Sequence, residues 1–262
     1  MQKGPIGIFD SGVGGTSIWK EINALLPSEN TIYLADSKNA PYGEQSRDEI
    51  IQLSIKNTEF LLNKGCKLIV VACNTATTNA IKFLRENYAL PFIGIEPAIK
   101  PAALNSKSGT IGVLATKGTL TSQLFSRTAK DHTANITVVE QEGKGLVTLI
   151  ESGAINKKET EALLKKYLKP MIDANIDHLV LGCTHYPYLI PILKKLLPEQ
   201  VSIIDCGEAV ARQTEKVLRE NDLLNTSKEK VKHQFYTNSD PAALNYFLKD
   251  IEVELQIASL NF

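Results

Sequence analysis

Short runs that are apolar at nearly every position alternate along this chain with longer stretches whose apolar positions recur at helical spacing. The runs are Ile6–Phe9, Thr31–Ala35, Lys67–Ala72, Phe92–Ile95, Thr110–Leu114, Ile136–Val139, His178–Gly182 and Val201–Ile204. Continuous short apolar runs, as opposed to alternating ones, predict strands covered on both faces. Strands of this kind separated by amphipathic helices predict an α/β fold built on parallel sheet.

The pattern runs twice. Leu53 through Cys73 lays on Leu163 through Cys183 without a gap, at an offset of 110 positions. Each copy reads as an amphipathic helix, a short polar turn, an apolar strand and then a cysteine. Ile6-Gly7-Ile8-Phe9 likewise matches Ile111-Gly112-Val113-Leu114 at the opening of each copy. Solenoid units repeat every 20–50 residues or so, so a period this long indicates a duplicated lobe. Two pseudo-symmetric lobes are expected, each a mostly parallel sheet flanked by helices. One comprises 1–97 completed by 208–262, the other 98–207, with the active site in the cleft between them.

Composition narrows the setting. The 262 residues are 43% hydrophobic and 22% charged, as in ordinary folded globular chains. Twenty-nine basic residues balance 29 acidic ones, so no net field draws the protein to nucleic acid or anionic lipid. No apolar stretch approaches the roughly 20 residues that span a bilayer, and no secretory signal pattern precedes Ile6. A cytoplasmic protein without membrane or nucleic-acid partners is expected. In that reducing setting Cys66, Cys73, Cys183 and Cys206 do not form a disulfide framework, and none has zinc-ligand spacing, so no metal is expected.

Ligands of open α/β sheets lie beyond the carboxyl ends of the strands. The loops there are Asp10-Ser11-Gly12-Val13-Gly14-Gly15, then Asp36 with Pro41-Tyr42-Gly43, then Cys73-Asn74-Thr75, and in the second copy Thr116 to Thr121 and Cys183-Thr184-His185. Gly12-x-Gly14, with Asp36 ending the next strand, resembles a dinucleotide fingerprint. Ser17 at the third small position and the acid at Asp10 count against a pyrophosphate there. A cradle of backbone N–H groups for an anion or carboxylate fits the loop best. A plain tight turn comes second, and a dinucleotide site third.

Free cysteine is often mere core filling, and Cys66 and Cys206, unmatched by the repeat, read that way. Cys73 and Cys183 occupy equivalent strand ends, beside expected helix N-termini whose dipoles favour the thiolate. His185, two residues on, is placed to hold or shuttle a proton. Glu151 reads from pattern alone as a solvated helix-face residue. Inverting a stereocentre needs a proton removed from one face and another returned to the opposite face. Two facing lobes, each presenting a thiol with a reference pKa of about 8.5, meet that requirement, one sulfur as base and the other as acid.

The combination and order of Gly7-Ile8-Phe9-Asp10-Ser11-Gly12-Val13-Gly14-Gly15, Pro41-Tyr42-Gly43, Val71-Ala72-Cys73-Asn74-Thr75-Ala76, Ile95-Glu96-Pro97 and Leu181-Gly182-Cys183-Thr184-His185 resemble the glutamate racemases over nearly the whole chain. The resemblance implies a cofactor-independent enzyme that supplies D-glutamate for peptidoglycan, with glutamate as its small-molecule partner, and a homodimer. It implies Cys73 and Cys183 as the acid/base pair, Asp10 assisting Cys73, and His185 with Glu151 assisting Cys183. Asp10-Ser11, Pro41-Tyr42-Gly43, Asn74-Thr75 and Thr184-His185 would hold substrate, with Thr116, Thr119 and Thr121 contributing from the second lobe and Asp36 in support. His185 resembles the glutamate branch, since the related aspartate racemases carry an acid there. Two other readings compete: a dinucleotide-dependent oxidoreductase using Gly12 to Ser17 and Asp36, and a non-enzymatic amino-acid-binding module.

Overall fold

The structure, a computed structural model, describes residues 4–133, 135–227 and 229–262. Its strands are β1 (Ile6–Asp10), β2 (Thr31–Ala35), β3 (Leu68–Val71), β4 (Phe92–Gly94), β5 (Thr110–Ala115), β6 (Thr137–Glu142), β7 (His178–Gly182), β8 (Ser202–Ile204), β9 (His233–Thr237) and β10 (Leu255–Ser259). They form two sheets, ordered β10-β9-β2-β1-β3-β4 and β6-β5-β7-β8. Every pairing is parallel. The eight apolar runs all appear as strands: β1, β2, β3, β5 and β7 are buried nearly throughout, whereas β6 and β8, at the edges of the second sheet, are only partly covered. The fold is thus α/β with two parallel sheets flanked by helices.

The second sheet repeats the order β2-β1-β3-β4 as β6-β5-β7-β8. The copies also agree in local chemistry. Helix Arg47–Asn63 ends at Gly65 (φ 74°) and helix Lys158–Asp173 at Asn175 (φ 57°). Both turn residues are left-handed, the conformation only glycine and, less easily, asparagine adopt at low cost. Each turn is closed by the same pair of bonds: Gly65 N to Leu62 O and Cys66 N to Leu61 O, matched by Asn175 N to Ile172 O and Ile176 N to Met171 O. All four pairs of positions keep the offset of 110.

The C-terminal strands β9 and β10 extend the first sheet beyond β2. Helix Gly207–Glu220 buries Val210, Ala211, Thr214 and Leu218, and its neighbour, helix Thr16–Leu25, buries Ile18, Trp19 and Ile22. Trp19 stacks edge-on against His233 and Phe235 of β9, ring centroids 5.4 and 4.9 Å away. The carboxyl ends of β1 and β3 point toward those of β5 and β7, so loops from both sheets meet in one cleft. No helix among the described residues is long and apolar enough to cross a membrane.

Candidate active site

Ser11, Tyr42, Cys73, Asn74 and Thr75 from the first sheet's loops, with Thr116, Cys183, Thr184 and His185 from the second's, line one small, nearly closed cavity. Pro41, Gly43 and Val147 complete its wall. Both thiols therefore face a common space, while Cys66 and Cys206 lie buried elsewhere.

The two thiols differ in their surroundings. Cys73 caps helix Asn74–Asn87, its sulfur accepting from Ala76 N at 3.4 Å. The expected helix-end effect is present but outweighed. Burial pushes the Cys73 thiol well above its usual range and the nearby Asp10 charge adds to this, against the smaller lowering from Ala76 N–H and Ser11. Cys73 is held as a neutral thiol. Its S–H points to Ser11 Oγ at 3.7 Å, and Ser11 donates to Asp10 Oδ1 at 3.4 Å, so Asp10 reaches the thiol through a hydroxyl.

Cys183 departs from the sequence expectation. A 3-10 turn, Tyr186–Leu189, follows it instead of an α-helix N-terminus. Its partner is a side chain: Cys183 Sγ lies 3.7 Å from His185 Nδ1, and His185 Nε2 lies 2.5 Å from Glu151 Oε1. Burial alone would lower the imidazole's basicity, yet the bonds and charges of Cys183 and Glu151 raise it well above the usual 6.5. His185 therefore holds its proton between the Cys183 sulfur and the Glu151 carboxylate. Gly14 N–H also faces Nε2, at 3.2 Å. One nitrogen does not accept there while donating to Glu151, and the shorter contact decides for Glu151.

The glycine loop cradles carboxylates, as read from the sequence, but they are the protein's own. Val13 N–H donates to Glu151 Oε1 at 2.7 Å and Gly15 N–H to Asp10 Oδ2 at 2.8 Å. A Cβ on Gly12 would stand 1.9 Å from Glu151 Oε1, and one on Gly14 would stand 2.3 Å from His185 Nδ1. These glycines let the loop after β1 lie against the His185–Glu151 pair, and the space a pyrophosphate would need is filled. Gly14→Ala is expected to displace the imidazole and lower kcat at least about tenfold while the melting temperature moves little. Activity within twofold of wild type would show that the ring has room to shift.

Asp36 is not placed as a ribose-binding acid. It is fully buried and accepts from Tyr42 OH at 2.5 Å and from the Asn39 and Asn238 amides, fixing Tyr42 against the cavity. Asp10, also fully buried, accepts from Thr184 Oγ1 at 3.4 and 3.5 Å across the cleft. Its desolvation raises the carboxyl pKa above the usual 3.8, against the lowering effect of His185. Both polar atoms of the Asn74 amide are buried without a protein partner. A buried amide of this kind is costly unless something bonds it.

Thr75, Thr116 and Thr119 form a triangle of hydroxyls, with oxygens 2.8, 3.0 and 3.4 Å apart, that joins loops of the two sheets. Thr119 stands behind the other two. Thr121 is not brought to the site: it is exposed, bonds Lys117 O, and faces a different hollow. Val147 was not singled out in the sequence, although it sits one helical turn before Glu151, on the same face. The sequence reading also missed Tyr188, whose hydroxyl lies 2.5 Å from Thr16 Oγ1 across the lobes. Nothing in the local pattern announces that contact.

Comparison with known proteins points the same way. The family model described as Asp/Glu/Hydantoin racemase matches residues 6–214. A glutamate racemase of Herpetosiphon aurantiacus is 43% identical over 254 residues, covering 97% of this chain and 100% of that protein. The solved Francisella tularensis glutamate racemase in complex with D-glutamate superposes with a TM-score of 0.85 at 33% identity, covering 100% of this chain and 99% of the other. The Escherichia coli glutamate racemase in complex with L-glutamate and the activator UDP-MurNAc-ala gives a TM-score of 0.87 at 32% identity, covering 98% of each.

Proposed function

Because this chain belongs to the Asp/Glu/hydantoin racemase family, we propose that it interconverts L- and D-glutamate by passing protons through Cys73 and Cys183 on opposite faces of the α-carbon. The observation that carries the mechanism is the pair of thiols lining one cavity from two sheets, with unlike neighbours: Ser11 and Asp10 behind Cys73, His185 and Glu151 behind Cys183. Cys183, with His185 and Glu151 behind it, serves as the base in one direction. Cys73, neutral and backed by Ser11 and Asp10, is the acid. Removal of the α-hydrogen by the Cys183 thiolate leaves a carbanion, which takes the Cys73 proton on its other face. The site then holds Cys73 as thiolate and Cys183 as thiol, ready for the reverse passage.

The cleft's polar groups suit an amino acid. The unpartnered Asn74 amide offers one donor pair and one acceptor, and the Thr184, Thr75 and Ser11 hydroxyls flank it. We assign the substrate's carboxylate and amino groups to these partners. Kinship with curated glutamate racemases supports glutamate as the substrate and supply of D-glutamate for peptidoglycan as the role.

Heavy water supplies the test. With L-glutamate as substrate, every molecule of D-glutamate formed is expected to carry deuterium at Cα, read by mass spectrometry after chiral separation. Product formed without solvent deuterium would exclude the two-thiol passage.

A further inference from the structure

Two-base inversion demands more of the protein than either proton transfer alone. One carbon must lie within reach of both sulfurs, so the separation of the lobes sets the rate, and an error near 1 Å at a reacting centre costs about 10²-fold. Something at the lobe seam must fix that separation.

Backbone meets backbone between the lobes beside the cavity at Gly118, in the short helix Lys117–Leu120 that follows β5. A Cβ there would stand 2.8 Å from Thr75 Cγ2 and 3.2 Å from Gly43 Cα, both on the first lobe. Asn79 clamps the contact from behind, its amide donating to Gly118 O at 3.1 Å and to Thr75 O at 2.9 Å. On the other side Gly43 packs on Thr116, where an added Cβ would stand 3.0 Å from the threonine Cβ. Thr75, Gly43 and Thr116 all line the cavity, and Thr75 follows Cys73 by two residues. Gly118 itself touches no reacting group. Neither its φ nor a turn requires glycine at this position, so the close approach is the reason for it.

We infer that Gly118 is a positioning residue: its missing side chain sets the lobe separation at which one α-carbon reaches both Cys73 and Cys183. This rests on the two-thiol reading above. Adding a methyl group at Gly118 wedges Thr75 and Gly43 away from the second lobe. Transfer between substrate and the nearer thiol survives such a change, because only one sulfur is needed. Delivery from the opposite face does not.

The experiment compares two rates in heavy water with L-glutamate: inversion to D-glutamate, and deuterium entry into recovered L-glutamate. Gly118→Ala is expected to lower inversion at least about tenfold and exchange less than threefold, raising the exchange-to-inversion ratio. A structural defect that merely reduces the folded fraction lowers both rates together and leaves the ratio unchanged. The double variant Gly118→Ala/Thr75→Ser removes the methyl that the new Cβ strikes and keeps the hydroxyl. Its ratio is expected to fall back toward that of Thr75→Ser alone, and this comparison stands even if Gly118→Ala does not fold. An unchanged ratio in Gly118→Ala, or a double variant displaced from Thr75→Ser as far as the tenfold expected of Gly118→Ala alone, overturns the inference; a small residual shift is the remaining contact with Gly43. Wild-type product lacking deuterium would instead overturn the two-thiol reading, so the two failures are distinguishable.

Discussion

Cys73→Ser and Cys183→Ser are each expected to reduce racemisation by about 10³-fold or more, near the upper end of what a positioned acid or base contributes. A serine hydroxyl fits either position but is far too weak an acid to deliver a proton at Cys73, and too poorly ionised to remove one at Cys183. The equilibrium constant of a racemisation is unity, so kcat/KM must fall equally from L- and from D-glutamate, whichever thiol is lost. Circular dichroism of the substrate, followed from both enantiomers, measures this directly. Cys206→Ala serves as the control. That thiol is buried and pushed up to about 12, mainly by desolvation, and its removal should leave the rate within about twofold. Either serine variant retaining a tenth of wild-type activity would sink the assignment of its thiol.

The sequence carried the scaffold well because the central parallel strands, buried on both faces, are apolar throughout, and the partly covered edge strands β4, β6 and β8 still begin from short apolar runs that stand out without context. β9 and β10 escaped for the opposite reason. His233-Gln234-Phe235-Tyr236-Thr237 alternates buried and half-exposed residues, and β10 is an edge strand largely open to water, so neither shows a continuous apolar run. The repeat located both cysteines, since equal positions in two copies are visible in one dimension. It could not show that the copies diverge after the cysteine, with an α-helix behind Cys73 and a 3-10 turn behind Cys183. Nor could local pattern place Glu151, whose partners Val13 and His185 lie 138 and 34 residues away in sequence. Those contacts exist only in the folded chain, which brings His185 to Glu151 behind the second sheet's strand ends and Val13 to it from the first sheet's loop. The glycine loop illustrates the same limit: its spacing indicated a carboxylate cradle, but only the folded chain shows that Glu151 and Asp10 occupy it.

The divergence between the two thiols leads to the second large effect, in the His185–Glu151 pair. His185→Asn removes the proton store beside Cys183 and is expected to lower kcat about 10²-fold. The damage falls on one transfer only. In the direction begun by Cys183, hydrogen removal becomes limiting, and α-deuterated substrate shows a primary isotope effect. In the other direction the impaired step is proton delivery from Cys183, so that effect is suppressed and a solvent isotope effect replaces it. Equal substrate isotope effects in both directions would contradict the pairing of His185 with Cys183.

Glu151→Gln tests the same pair through pH. The charge and hydrogen bond of Glu151 help hold His185 well above 6.5, and glutamine keeps the shape while losing the charge. The variant's imidazolium therefore gives up its proton at lower pH, and the alkaline limb of kcat/KM moves toward neutrality. Stability follows the same sign. A cation whose folded pKa is raised stabilises the fold fully below its unfolded value near 6.5, and that contribution is lost as pH rises through the folded value. Wild type should thus lose more melting temperature than Glu151→Gln between pH 6 and the alkaline side of the His185 titration. An alkaline limb that stays in place, with parallel melting curves across that range, would mean that Glu151 does not set the charge on His185.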